Sequence, residues 1–254
     1  NDLLYGAGVN LSNDVEFVFN DDVFSNIDCT INPDVSLKEL YRNRAQQLRD
    51  TYDYLILSYS GGSDSHEILY TFLENKIHID EIQVVTAEKG LSRLDKSLVM
   101  NDDALQLFLE YEYAAVPNLK MIASQFPNTK ITILDVSDYL LESSKGSKFD
   151  FLGHQDTKKN TTYLDVGAGY VRTYFQHHWN NKNFTPRGKT AFIRGIDKPI
   201  IGIRLNQVFF KFSDATMNTL NMIESGDLGS IYNIENFFWS REAPLIPIKQ
   251  THVI

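Results

Sequence analysis

Residues 54–76, YLILSYSGGSDSHEILYTFLENK, pass without interruption from a short apolar run through a Gly-Ser knot into a segment with helical spacing. Tyr54 to Tyr59 has strand length, and Ile68, Leu69, Phe72 and Leu73 recur as the buried side of a helix does, so the stretch reads as a strand, a tight loop and a helix. This unit constrains the fold more than any other feature, because it repeats. Ile82 to Thr86 supplies a second strand, followed by a long helix over residues 95–116 and another that Pro117 opens. Lys130 to Val136 supplies a third, with Ser137 and Asp138 placed to cap a helix through Leu141. Three alternations of strand and helix predict an α/β fold, a parallel twisted sheet with helices on both faces.

Ahead of this series, residues 1–35 read as an irregular arm with one short strand or hairpin around Val15 to Phe19, and Leu37, Leu40, Tyr41, Ala45 and Leu48 form an amphipathic helix behind a Ser36 cap. Beyond it, residues 143–166 are polar and weakly periodic and read as a lid, and residues 170–178 as a helix. Thr190 to Gly195 reads as a further core strand. Ile200 to Arg204 and Gln207 to Phe212 read as an added C-terminal β-hairpin.

Composition narrows the partners. The chain has 254 residues and a net charge of −9, which argues against a broad electrostatic grip on nucleic acid or an anionic membrane. Cys29 is the single cysteine, so no intramolecular disulfide and no zinc site built from cysteine pairs can form. With no apolar run of about 20 residues and no signal-peptide pattern, a cytoplasmic protein is expected. Adjacent His177 and His178 would point about 100° apart on a helix, which disfavours joint metal ligation, and Phe237-Phe238-Trp239 reads as a packing anchor.

The loop Ser60-Gly61-Gly62-Ser63-Asp64-Ser65 lies where a parallel sheet gathers ligands, at the end of a strand and the start of a helix. Gly61 and Gly62 permit a sharp turn with open backbone, and the serines add hydroxyl donors. Asp64 would repel a phosphate unless a cation stands between, a conflict that magnesium resolves. On residues alone, a capping box formed by Asp64 and Glu67 accounts for the loop as well as a phosphate seat does. The Walker pattern is absent, since no lysine follows the glycines.

A strand ending in S-G-G-x-D-S before a helix resembles the PP-loop, or N-type, ATP pyrophosphatases, the superfamily of asparagine, GMP, NAD and argininosuccinate synthetases. Every defined position of that motif is met by Ser60 to Ser65. FIRGIDKPII and the tail FFWSREAPLIPIKQTHVI also look like asparagine-synthetase-like proteins, some carried by bacterial viruses. The resemblance implies an adenine nucleotide α-hydrolase-like, Rossmann-like fold over residues 36–254, and cleavage of ATP to AMP and pyrophosphate to activate an acceptor. It also implies roles. Ser60, Gly61, Gly62, Ser63 and Ser65 would cradle pyrophosphate; Asp64 would take Mg2+; adenine would lie near Ser58 and against Val85 and Thr86. Asp197 is the first choice for a second metal ligand and Lys198 for the phosphate-contacting cation, with Asp165 as second choice and Arg172 and Arg194 as candidates to meet an acidic substrate.

Sulfur-transferring relatives need a cysteine after the loop, and Cys29 precedes it. Glutamine-hydrolysing relatives need an amidotransferase domain, for which residues 1–50 are too short. An ATP-dependent, AMP-forming ligase of the asparagine-synthetase type is therefore expected. It would act on a small-molecule acceptor carboxyl or carbonyl, with ammonia or amine from solution or a separate partner. The alternatives are a non-catalytic ATP-binding module and a nucleic-acid-modifying PP-loop enzyme, the latter disfavoured by the charge.

Overall fold

A computed structural model describes residues 20–86, 89, 110–135, 188–195, 198, 200–204, 207–211 and 232–253. The expected strand near residue 17, most of the helix over 95–116, the helix capped by Ser137 and Asp138, the lid over 143–166 and the helix over 170–178 lie outside these residues.

Five strands, β1 (Tyr54–Ser58), β2 (Glu81–Thr86), β3 (Lys130–Asp135), β4 (Thr190–Arg194) and β7 (Tyr232–Asn236), form one sheet in the order β3-β2-β1-β4-β7. Every neighbouring pair is parallel, so the chain has an α/β fold built on a five-stranded parallel sheet. β5 (Ile200–Arg204) and β6 (Gln207–Lys211) pair antiparallel in a separate two-stranded sheet; Leu205 and Asn206 between them lie outside the described residues.

The helices are α1 (Asp21–Phe24), α2 (Leu37–Thr51), α3 (Ser63–Glu74), α4 (Val116–Gln125) and α5 (Leu245–Val253), with a π-helical turn, Glu110–Ala115, running into α4. Ser36 caps α2 by accepting from the Glu39 N–H at 3.2 Å. Pro117 sits in the first turn of α4, where its missing N–H has no helical partner to lose.

Alternation along the strands sorts the side chains into two faces. Leu55, Leu57, Ile82, Val84, Ala191 and Ile193 share one core with Ala45 and Leu48 of α2, Ile68 and Phe72 of α3, Ile122 of α4 and Ile246 of α5. The described helices of that core therefore lie on one face of the sheet. Ile56 and Phe192 point to the other face and are buried as well, so both faces of the central strands are covered. Burying each such side chain contributes about 1.5–3 kcal/mol, which places the centre of the fold at β1 and β4.

β7 was not legible in the sequence, and its partners explain it. Arg44, buried in α2, pairs with Glu235 Oε2 at 2.7 Å and donates to the Asn236 carbonyl at 3.1 Å, and the Tyr52 hydroxyl donates to Glu235. Phe237 and Phe238 follow as fully buried side chains, edge-on to each other, which agrees with their reading as a packing anchor. The described part of the arm is fastened to the C-terminal segment: Phe24 stacks on Trp239 with ring centroids 4.4 Å apart, Asp22 pairs with Arg241 at 2.7 Å, and Lys249 donates to Asn32 and to the Pro33 carbonyl, each at 2.8 Å. Among the described residues, no helix is long and apolar enough to cross a membrane.

Candidate functional site

In the order β3-β2-β1-β4-β7 the chain moves outward from β1 through β2 to β3 on one side, and from β4 to β7 on the other. β1 and β4 are neighbours at the point where the strand order reverses, and in open parallel sheets ligands bind beyond the carboxyl ends of such strands. Ser58, Ser60, Gly62, Ser63, Asp64 and Ser65 line an open cleft of about 390 Å³ there, with Arg194 and Gly195 from the end of β4.

The loop is held by its own serines. Ser60 Oγ accepts from the Gly62 N–H at 3.1 Å and lies 3.1 Å from Ser65 Oγ, which accepts from the Ser60 N–H at 3.2 Å and donates to the Gly62 carbonyl at 3.0 Å. Gly61 takes φ +91°, a conformation that a side chain would strain, and this turn sets Gly62 at the head of α3. The Tyr59 N–H donates to the Gln83 carbonyl at 2.8 Å, which ties the loop entrance to β2. Tyr59 is buried, its hydroxyl shares a 3.0 Å hydrogen bond with His66 Nδ1, and burial raises its phenol above the usual tyrosine range against an opposing hydrogen bond from Asn118.

The capping box that the sequence allowed does not form. Gly62 occupies the N-cap with no side-chain cap, and Asp64 lies inside the first turn. A helix start has N–H groups without intrahelical partners: here the Gly62 N–H goes to Ser60 Oγ, and among the described residues no side chain takes those of Ser63, Asp64 and Ser65. With the positive end of a 12-residue helix behind them, they favour an anion in the cleft. Close approach between β4 and this turn depends on Gly195: a Cβ at that position would stand 3.1 Å from Ser65 N and from the Asp64 carbonyl carbon.

Asp64 and Lys198, singled out separately in the sequence, meet here. Lys198 Nζ lies 2.8 Å from Asp64 Oδ1, 3.9 Å from Glu67 Oε2 and 4.6 Å from the centre of the Phe238 ring. Ser63 Oγ donates to the same Asp64 oxygen at 3.2 Å. Val85 and Thr86 extend β2 beyond Gln83, the register partner of Ser58, and do not line the cleft. Asp197, Asp165 and Arg172 lie outside the described residues. Arg194 is half-buried in the cleft wall.

Glu67, Gly195 and Phe238 belong to the site and were not assigned to it from the sequence. Glu67 could have been found from its place one turn after Asp64; Phe238 gave no signal, because it reaches Lys198 only through the fold. Asp64 is the sole carboxylate in the described cleft lining, and among the described residues no group of three or more His, Cys, Asp or Glu gathers as a metal site. One protein carboxylate beside hydroxyls suits Mg2+ that arrives with phosphate, since that ion keeps waters and needs few protein ligands. No protein-family model matches the chain, and no curated protein does.

Proposed function

We propose that the chain is an AMP-forming, ATP-dependent adenylating enzyme of the PP-loop type, with an adenine nucleotide α-hydrolase-like, Rossmann-like domain and the β5–β6 pair as an added C-terminal hairpin. The observation that carries the reading is the uncapped start of α3, which follows Ser60 to Gly62 at the sheet's crevice and holds Asp64 beside Lys198. The first-turn N–H groups and the Ser60 hydroxyl provide donors for the β- and γ-phosphates as they depart together as pyrophosphate, and the Ser63 and Ser65 hydroxyls would join them by turning from Asp64 and the Gly62 carbonyl. Asp64 would hold Mg2+, which neutralises phosphate charge when bound. Lys198 supplies a second positive charge to the leaving group, and Ser58, Val85 and Thr86 mark the side on which adenine would lie.

An acceptor carboxylate oxygen attacks the α-phosphorus, the bond from that phosphorus to the bridging oxygen breaks, and pyrophosphate leaves with its electron pair. Ammonia or an amine then attacks the acyl carbon, AMP departs, and the nitrogen gives its extra proton to solvent. The cytoplasm, with its ATP, is the setting proposed for this chemistry. Incubation with ATP, Mg2+, ammonium and a panel of small carboxylic acids should yield AMP and pyrophosphate in equal amounts. ADP with orthophosphate would contradict the mechanism.

Among the described residues Asp64 is the single carboxylate of the cleft lining, and this favours a second reading, a nucleotide-binding module without turnover. Saturable ATP binding in calorimetry with no acceptor-dependent pyrophosphate would select it.

A further inference from the structure

We propose that Lys198 is the resident counter-cation of Asp64, and that it makes the cleft selective for a divalent cation delivered with phosphate over the free cation. The inference rests on the phosphate-seat reading above and assigns positioning roles to Glu67 and Phe238.

Among the described residues, three attractive partners hold the Lys198 ammonium: the Asp64 carboxylate at 2.8 Å, the Glu67 carboxylate at 3.9 Å and the face of the Phe238 ring at 4.6 Å. Asp64 and Glu67 stand three residues apart on α3, so their carboxylates share one side of the helix and the ammonium sits against both. The lysine side chain is 29% exposed and the Asp64 side chain 42%, which leaves the pair open to exchange but partly shielded from bulk water.

A free divalent cation that approached Asp64 would meet an ammonium already bonded to the same oxygen. It would have to shed water and displace that ammonium to reach the Asp64 carboxylate. A cation that arrives on pyrophosphate or a nucleotide changes the balance, because the phosphate oxygens offer Lys198 a new anionic partner as Asp64 turns to the metal. Glu67 and the Phe238 ring keep the ammonium beside the cleft during that exchange. Phe238 lies two residues beyond β7 and is buried, so the ring on which the Lys198 ammonium rests is fixed by the core.

Mn2+ tests the exchange without any turnover, since paramagnetic resonance reads the free ion directly. Wild-type protein without nucleotide should bind Mn2+ weakly, and Lys198→Met should bind it roughly five- to tenfold more tightly. With Mn2+ and pyrophosphate together the order should reverse, the wild type binding more tightly. Lys198→Arg keeps the charge and should exclude free Mn2+ as the wild type does, which guards against a folding artefact in the methionine variant. Equal affinity of wild type and Lys198→Met for free Mn2+ overturns the exchange and leaves the phosphate seat standing. Tighter Mn2+ binding by the variant, with pyrophosphate bound by neither protein, overturns the phosphate seat and the selectivity built on it.

Discussion

The Lys198 ammonium stands 2.8 Å from Asp64 Oδ1, which joins the segment beyond β4 to the first turn of α3. The pair brings a cation and a carboxylate to the same end of a parallel sheet, where the first-turn N–H groups of α3 already favour an anion. Asp64→Asn removes the carboxylate and keeps the shape. Pyrophosphate release should fall about 100-fold or more, the scale seen when one charge-stabilising group is removed, while the thermal midpoint stays close to wild type because the side chain is half-exposed. Quenched assays of pyrophosphate and a thermal scan check both halves.

Gly195 permits the approach of β4 to α3. Gly195→Val would press a branched side chain against Ser65 N and the Asp64 backbone, both 3.1 Å from the position of a Cβ. Overpacking of this kind costs about 1–3 kcal/mol and should tilt the first turn of α3. The expected result is a lower midpoint in urea together with weaker binding of Mg2+ and pyrophosphate; unchanged binding would show that the turn does not seat the ligand.

Arg44, Glu235 and Tyr52 fasten α2 to the edge strand β7. Arg44→Met leaves Glu235 without its cation, and breaking one side of a buried pair costs about 3–5 kcal/mol. Glu235→Gln should be nearly as costly, and the double variant should recover part of the loss. Tyr52→Phe removes one hydrogen bond to Glu235 and should cost about 1–2 kcal/mol. Urea unfolding of the wild type, Arg44→Met, Glu235→Gln and their double variant forms a cycle that reads the coupling.

Stability should fall in alkali. Burial pushes the Tyr41 phenol up to about 12 against an opposing hydrogen bond from Gln250, and burial followed by the Glu235 hydrogen bond pushes Tyr52 up as well. In the unfolded chain these groups ionise near the ordinary value of 10, so between there and the folded value the native state holds protons that the unfolded state has lost. The stabilisation is complete below pH 10 and is lost as pH rises toward 12. Urea unfolding at about pH 9 and about pH 11 should show the drop, and Tyr41→Phe should make it shallower.

Much of this architecture can be read from the residues alone. The Tyr54 to Ser58 run, the Ser36 cap, the β2 and β3 segments and Thr190 to Arg194 announce themselves through apolar runs, a capping hydroxyl and turn residues, which act locally. β7 does not, because Tyr-Asn-Ile-Glu-Asn carries two asparagines and a glutamate, poor strand formers that gain their order from β4 and from Arg44 in the folded state. The same distinction holds in the site. Ser60 to Ser65 is legible as a motif, whereas the bond between Asp64 and Lys198, the ring of Phe238 beneath that lysine and the absence of a side-chain cap on α3 are products of tertiary packing. A capping box was a sound local expectation for Asp64 and Glu67. The tight turn at Gly61 places the helix start earlier, at Gly62, and so moves Asp64 past the capping position.

The central claim is that the Gly-Ser loop and the start of α3 form a seat for pyrophosphate. Calorimetric titration of the wild-type chain and of Asp64→Asn with pyrophosphate in the presence of Mg2+ tests it most directly. Saturable one-site binding by the wild type, weakened at least about tenfold in Asp64→Asn, is the result expected from a metal-bridged phosphate site. No binding by the wild type, or equal binding by both proteins, would contradict it.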